Sequence, residues 1–209
     1  MANKKGIFIV FEGIGASGKD TQVEMLEKKL KNDGVDVLVT REHTRDTPTG
    51  VLIERIIKRQ EDQIDPQALQ LLFISDRRNH FTKVIQPALN EGKLVIGNRY
   101  YAVNVAYLSE EWRETFLKIN QMVVGRPDLI VIIDTPPQVA LERMNKRGDH
   151  DIFDKLETME KCREGYLWFA KNSGDKCVLI NGDGTKEEVF GRILVEINKL
   201  NIIKAGDKI

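Results

Sequence analysis

Three things are missing from this sequence: a surplus of either charge, a cysteine motif and a long apolar run. Its 32 basic and 32 acidic residues cancel, so it lacks the basic excess expected of a general nucleic-acid binder. Local phosphate sites remain open. Its two cysteines, Cys162 and Cys177, have neither C-x-x-C nor zinc-ligand spacing. That argues against a disulfide framework and a structural zinc site, and implies free thiols in a reducing compartment. We therefore expect a cytoplasmic protein. The apolar run at 7–11 is too short to cross a membrane and ends in glycines, so it reads as a first strand, neither signal peptide nor anchor. No internal repeat, low-complexity tract or linker divides the 209 residues. The length suits a single domain, 1–209, with a substantial core.

Short β-branched runs at 7–11, 35–40, 94–96, 129–134 and 177–180 read as strands. They are apolar without strict alternation, as strands buried on both faces of a parallel sheet are. Helical patterns separate them. In 20–32, Val23, Leu26 and Leu30 share one face and Gly34 marks the stop. Further helices are expected over 67–90, over 102–124 with an interruption, and over 137–146, 156–171 and 186–200. This alternation predicts an α/β fold of three layers, with a mostly five-stranded parallel central sheet and right-handed crossovers. The polar segment 147–155 lies between two helices and suits either a cover over a site or a solvated connection.

Directly after the first strand comes Gly13-Ile-Gly-Ala-Ser-Gly-Lys-Asp-Thr, with the G-x-x-x-x-G-K spacing of a phosphate-binding loop. Glycines let a loop wrap a polyphosphate with its backbone N–H groups exposed, and the following helix adds its positive end. Gly13, Gly15, Ala16, Ser17, Gly18, Lys19, Asp20 and Thr21 are the expected ATP-binding set, with Lys19 reaching the transferred phosphate. Ser or Thr normally follows the lysine and offers its hydroxyl to Mg²⁺. Here Asp20 stands there. It could bind the ion directly or through water, or point away. A carboxylate beside a triphosphate without a cation is repulsive, so strong metal dependence is expected.

From here the chain resembles a known family, the thymidylate kinases, which transfer the ATP γ-phosphoryl group to dTMP. The resemblance runs through Phe11-Glu-Gly-Ile, Gly18-Lys-Asp-Thr-Gln22, Thr40-Arg-Glu42 and Leu71-Leu-Phe-Ile-Ser-Asp-Arg77 with His80. It continues through Arg99-Tyr100, Ala106-Tyr107, Arg126-Pro-Asp-Leu129, Asp134-Thr-Pro-Pro137 and Ala140-Leu-Glu-Arg143, and ends in Glu160-Lys-Cys-Arg-Glu-Gly-Tyr166. It implies a P-loop NTPase fold with a small helical lid at approximately 143–156, ATP as donor, Mg²⁺, dTMP as acceptor and a homodimer. By this resemblance Phe73 and Arg77, four apart on one helical face, pack against and read the base. Arg99 holds the acceptor phosphate, for which a guanidinium fork is well shaped. Arg41 and Glu42 lie near that phosphate and the metal, Tyr100 follows Arg99 in the substrate-binding set, and Tyr107 lies beneath the sugar. Asp134 either orients metal-bound water, making a metal set with Asp20 and Glu42, or caps the next helix. The loop itself has no arginine, so Arg143 and Arg147, four apart at the edge of the lid, are expected to neutralise the migrating charge together with Lys19 and Arg99.

The sequence also departs from the family pattern. Gly15 stands where an aspartate often contacts the sugar, Asn98 replaces the aspartate of Asp-Arg-Tyr, and His43 replaces a proline. Val103 and Leu108 replace a Ser and a Gln near the base, and Ile152 replaces a lid arginine. One account is compensation, with Asp20 restoring negative charge lost at Gly15 and Asn98. The departures keep two alternatives open: a kinase for another deoxynucleoside monophosphate, and a nucleotide-binding regulatory protein with little transfer activity.

Overall fold

A computed structural model describes residues 6–147 and 155–199, apart from the side chain of Arg147. Five strands form one all-parallel sheet in the order β2-β3-β1-β4-β5. They are β1 (Ile7–Glu12), β2 (Val37–Arg41), β3 (Leu94–Asn98), β4 (Leu129–Asp134) and β5 (Cys177–Asn181). Alternation along β1 builds two cores. Phe8 and Val10 face one side with Val95, Ile130, Tyr101 and Phe169. Ile9 and Phe11 face the other with Leu26, Leu30, Val131 and Ile193. Helices cover both faces, giving the three layers that the sequence predicts. The second core is closed by α1 (Lys19–Asn32) and by a C-terminal helix over Lys186–Lys199. Both cysteines are unbridged, and no helix among the described residues is long and apolar enough to cross a membrane.

Two differences from the sequence reading concern helices, and the interruption expected within 102–124 is found. The sequence reading omits α2 (Pro48–Ile57). Its start carries a local signal: the Thr47 side chain accepts from the Gly50 N–H, and Pro48 occupies the first turn, where its missing N–H costs nothing. The pattern at 67–90 is one helical rod broken in kind. It comprises α3 (Pro66–His80), a π-helical turn at Phe81–Ile85 and α4 (Gln86–Asn90). Pro87 cannot donate to the fourth carbonyl before it, and the wider turn absorbs the change. The pattern at 102–124 divides into α5 (Ala102–Ala106) and α6 (Glu110–Val123), with Ser109 at the N-cap of α6. The remaining helices are α7 (Pro137–Arg147), α8 (Leu156–Asn172) and the C-terminal α9 already given as Lys186–Lys199. The carboxyl ends of β1, β2 and β3 gather the functional side chains at one edge of the sheet, where open α/β sheets bind ligands.

Candidate active site

The turn after β1 is built for close backbone approach. Gly13 has φ 143°, and a Cβ there would lie 2.7 Å from the Ile133 carbonyl. Gly18, at φ 95°, makes the left-handed entry to α1. Thr135 donates from Oγ1 to the Ser17 carbonyl (3.1 Å), which ties the loop to the end of β4. From α7, Arg143 reaches the Ala16 carbonyl at 3.5 Å. Lys19 opens α1 and is 4% exposed. Burial, followed by the Arg99 charge, lowers its pKa to about 7. A bound polyphosphate would reverse that shift by supplying the anion that the ammonium lacks.

Asp20 is not turned to solvent. Its Oδ1 accepts from Asn98 Nδ2 (2.7 Å) at the end of β3 and from Arg41 at the end of β2, and Lys19 Nζ lies 3.8 Å from Oδ2. Burial opposes its charge, yet Lys19, the Asn98 amide and Arg41 together lower its pKa to about 2.

Arg99 follows β3 in the left-handed region, φ 71°, an unusual conformation for a side chain of its size. The turn is held by its surroundings. The Arg99 N–H donates to the Phe11 carbonyl (2.9 Å), and the next N–H, of Tyr100, donates to Glu12 Oε1 (2.8 Å). The Tyr166 hydroxyl donates to Glu12 Oε2 (2.9 Å) and accepts from Arg99 Nη1 (3.1 Å), which also donates to the Gly13 carbonyl (3.0 Å). Burial raises the Glu12 pKa, with Arg99 the largest opposing influence. Glu12, buried at the end of β1, thus fixes the geometry of Arg99. The sequence reading quoted it only as part of Phe11-Glu-Gly-Ile.

A cavity of about 420 Å³ runs from Gly15, Ala16, Lys19 and Asp20, past Arg99, to Phe73, Arg77 and Tyr107. Gly13, Ser17 and Gly18 shape the loop behind its wall, and Thr21 is not on that wall. At the far end Arg77 is 1% exposed. Its Nε donates to Glu42 Oε2 (2.5 Å), and its Nη1 donates to Asn120 Oδ1 (2.7 Å) and to Asn104 Oδ1. Its Nη2 donates to the Tyr100 carbonyl (2.8 Å). His80, one helical turn along α3, sets its Nδ1 3.3 Å from Glu42 Oε1 and its Nε2 2.6 Å from Thr40 Oγ1. Asp76 pins the loop after β2 to α3, accepting from the Thr44 N–H (2.8 Å) and from the hydroxyls of Thr44 (2.6 Å) and Thr47 (2.7 Å). His43, on that loop, meets the Phe73 ring edge-to-face at 5.6 Å and pairs with Glu54 at 2.7 Å. Val103 lines the cavity, whereas Leu108 lies in a separate apolar cluster with Ile74 and Phe116. Gln70 and Asn104 also line the cavity and were absent from the sequence reading. Gln70, Phe73 and Arg77 recur at i, i+3 and i+7, the spacing of one helical face, and that signal was available for Gln70.

Several expectations need correction. Tyr100 does not reach the cavity. Its ring packs on Phe8 at 5.0 Å in the core, its hydroxyl donates to the Gly125 carbonyl, and it serves the site from behind, through a carbonyl that accepts from Arg77 and a ring 5.5 Å from the Arg77 guanidinium. Asp134 is held by Arg163 of α8 in a bidentate pair at 2.5 and 2.8 Å, away from the cavity. Glu42 has both oxygens engaged, by Arg77 and His80, and is drawn into the wall. Among the described residues no three His, Cys, Asp or Glu side chains converge on one point. Asp20, Glu42 and Asp134 are therefore not one metal set. Of these three, Asp20 keeps its carboxylate beside the phosphate loop. Next to it, Asn98 Oδ1 is buried with no partner among the described residues, a polar atom that a bound water or ion would satisfy. These hard oxygen donors fit Mg²⁺, which takes few protein ligands and keeps several waters. The Arg147 side chain and residues 148–154 of the lid at 143–156, Ile152 among them, lie outside the described residues.

The sequence profile of the family described as Thymidylate kinase matches residues 11–193. Among curated relatives, the "Probable thymidylate kinase" of Pyrococcus abyssi is 38% identical over 200 residues, covering 91% of this chain and 95% of the relative. The protein of the same name from Pyrococcus horikoshii is 40% identical, with 80% and 84% covered. The "Thymidylate kinase" of Caldicellulosiruptor saccharolyticus is 34% identical, with 94% and 98% covered.

Proposed function

The chain belongs to the thymidylate kinase family, and from that membership we propose that it is an ATP-dependent kinase converting dTMP to dTDP. The observation that carries this reading is the single cavity with a phosphate loop at one end and Phe73 with Arg77 at the other. One pocket can thus bring a donor polyphosphate and an acceptor nucleotide together.

ATP binds through the loop backbone at Gly15 and Ala16 and through Lys19, whose burial favours an anion beside it. The acceptor base lies against Phe73, its sugar toward Tyr107, and its phosphate toward Arg99 and Arg41. Phosphoryl transfer asks the protein mainly to position both substrates and to stabilise charge, so no covalent intermediate is required. Arg99 is preorganised for that task by Glu12 and Tyr166. Arg143, already over the loop, neutralises the migrating charge, and we assign Arg147 the same duty. Mg²⁺, when bound, would supply positive charge that offsets the phosphates, and Asp20 is the residue that would hold it. Closure of the 143–156 lid excludes water and so suppresses ATP hydrolysis. A cytoplasmic homodimer of one kinase domain per chain completes the reading, and light scattering on the purified protein would read its assembly. The function is tested by ADP release with MgATP and a panel of ribo- and deoxynucleoside monophosphates. Preference for dTMP supports it, and preference for another deoxynucleotide overturns the acceptor while leaving the kinase.

A further inference from the structure

The inner end of the cavity contains a polar chain whose direction is fixed at one end. The Arg77 guanidinium can only donate. Because its Nη1 points at Asn104, the Asn104 amide must present Oδ1 to it. That turns Asn104 Nδ2 the other way, where it donates to Gln70 Oε1. Gln70 is then oriented as well, with its oxygen consumed. Its Nε2 has no acceptor among the described residues, and Gln70 is on the cavity wall in the same stretch of α3 as Phe73 and Arg77. Arg77 is itself held by Glu42, Asn120 and the Tyr100 carbonyl, so the head of the chain does not turn. A donor-only anchor therefore propagates through two amides and leaves an uncommitted N–H donor on a residue of the cavity wall.

We propose that Gln70 is a base-specificity residue, its amide locked by Arg77 through Asn104 so that it offers a donor to the acceptor base. The inference rests on the nucleotide-kinase reading and adds to it a residue and a polarity. A base with a carbonyl oxygen at that edge is accepted. A base with an exocyclic amine there leaves two donors facing each other in a buried site, where an unmatched polar group is costly.

The test uses the full chain, MgATP, and dTMP or dCMP as acceptor, with wild type, Gln70→Glu and Asn104→Asp. Gln70→Glu still accepts from Asn104 but turns a carboxylate oxygen to the base. Asn104→Asp presents only oxygens, so it forces Gln70 to donate toward it and to show Oε1 to the cavity. Both variants are expected to lower the dTMP-to-dCMP ratio of kcat/KM by about tenfold or more, matching the loss of roughly one good hydrogen bond. The KM for ATP should stay within twofold. A merely structural role would depress both acceptors alike and leave the ratio unmoved. Calorimetric affinities for dTMP and dCMP read the same ratio in a folded variant with low turnover. A wild type active on dTMP whose folded variants keep its ratio overturns this inference alone. A wild type that phosphorylates neither nucleotide overturns the kinase reading and this inference with it.

Discussion

Asn98 donates to Asp20 across 2.7 Å, joining two positions that both depart from the family pattern. An aspartate at 98 would place a second carboxylate against Asp20, whereas the amide supplies the donor that Asp20 accepts from. Asp20 and Asn98 therefore act as a pair. We predict that Asn98→Asp alone lowers kcat/KM for dTMP by at least tenfold. Adding Asp20→Ser should recover a substantial part of that loss. A double-mutant cycle should show coupling of about 1–3 kcal/mol. Simple additivity would separate the two residues.

The buried Lys19 ammonium predicts proton-linked ATP binding. Its pKa in the free protein is about 7, so above that pH the amine is mostly neutral. A bound polyphosphate favours the charged form and raises the pKa, so binding takes up a proton. ATP affinity should fall as pH rises above 7, by up to about tenfold per unit until the bound-state pKa is reached. Calorimetry at pH 8 in buffers of different ionisation enthalpy should show close to one proton taken up. In Lys19→Met that uptake should vanish along with turnover.

Tyr166→Phe removes one hydroxyl that serves both Glu12 and Arg99. The expected result is a rise of about tenfold in the KM for dTMP, with the KM for ATP little changed. A stability loss of roughly 1–2 kcal/mol in urea unfolding should accompany it, as for a buried hydrogen-bonded group left short of a partner. Equal damage to both substrates would show that Tyr166 does not act through Arg99.

The Asp134 carboxylate clasps Arg163 and stands apart from the cavity. Asp134→Asn should leave the Mg²⁺ concentration for half-maximal rate unchanged while costing about 1 kcal/mol of stability, since the pair is partly exposed. Asp20→Ala should do the reverse and raise that Mg²⁺ requirement several-fold.

Much of the scaffold was legible because its signals are local. The strand runs, the glycine spacing and the stop at Gly34 each act over a few residues. The helix at Pro48–Ile57 is also signalled, by Thr47-Pro48, but its short apolar pattern is assigned no element in the sequence reading. The break at Phe81–Ile85 was not legible, since helix patterning does not distinguish a π turn from an α turn. At the site, Lys19 is legible from the spacing of the phosphate loop, whereas Arg99, Phe73 and Arg77 are assigned through the family resemblance. Glu12, Gln70 and Asn104 work through partners 88, 34 and 27 residues away in sequence, and only the fold brings those partners together. Asp134 and Tyr100 were misplaced for the same reason. The clasp of Asp134 by Arg163 and the edge-to-face packing of Tyr100 on Phe8 are tertiary choices.

The central claim is phosphoryl transfer to dTMP in one cavity. The most direct measurement is ³¹P NMR of the purified chain with MgATP and dTMP, alongside Lys19→Met. The account predicts that dTDP and ADP appear in equal amounts, with little free phosphate, and that neither forms with the variant. Free phosphate without dTDP, or dTDP formation that survives loss of Lys19, would contradict it.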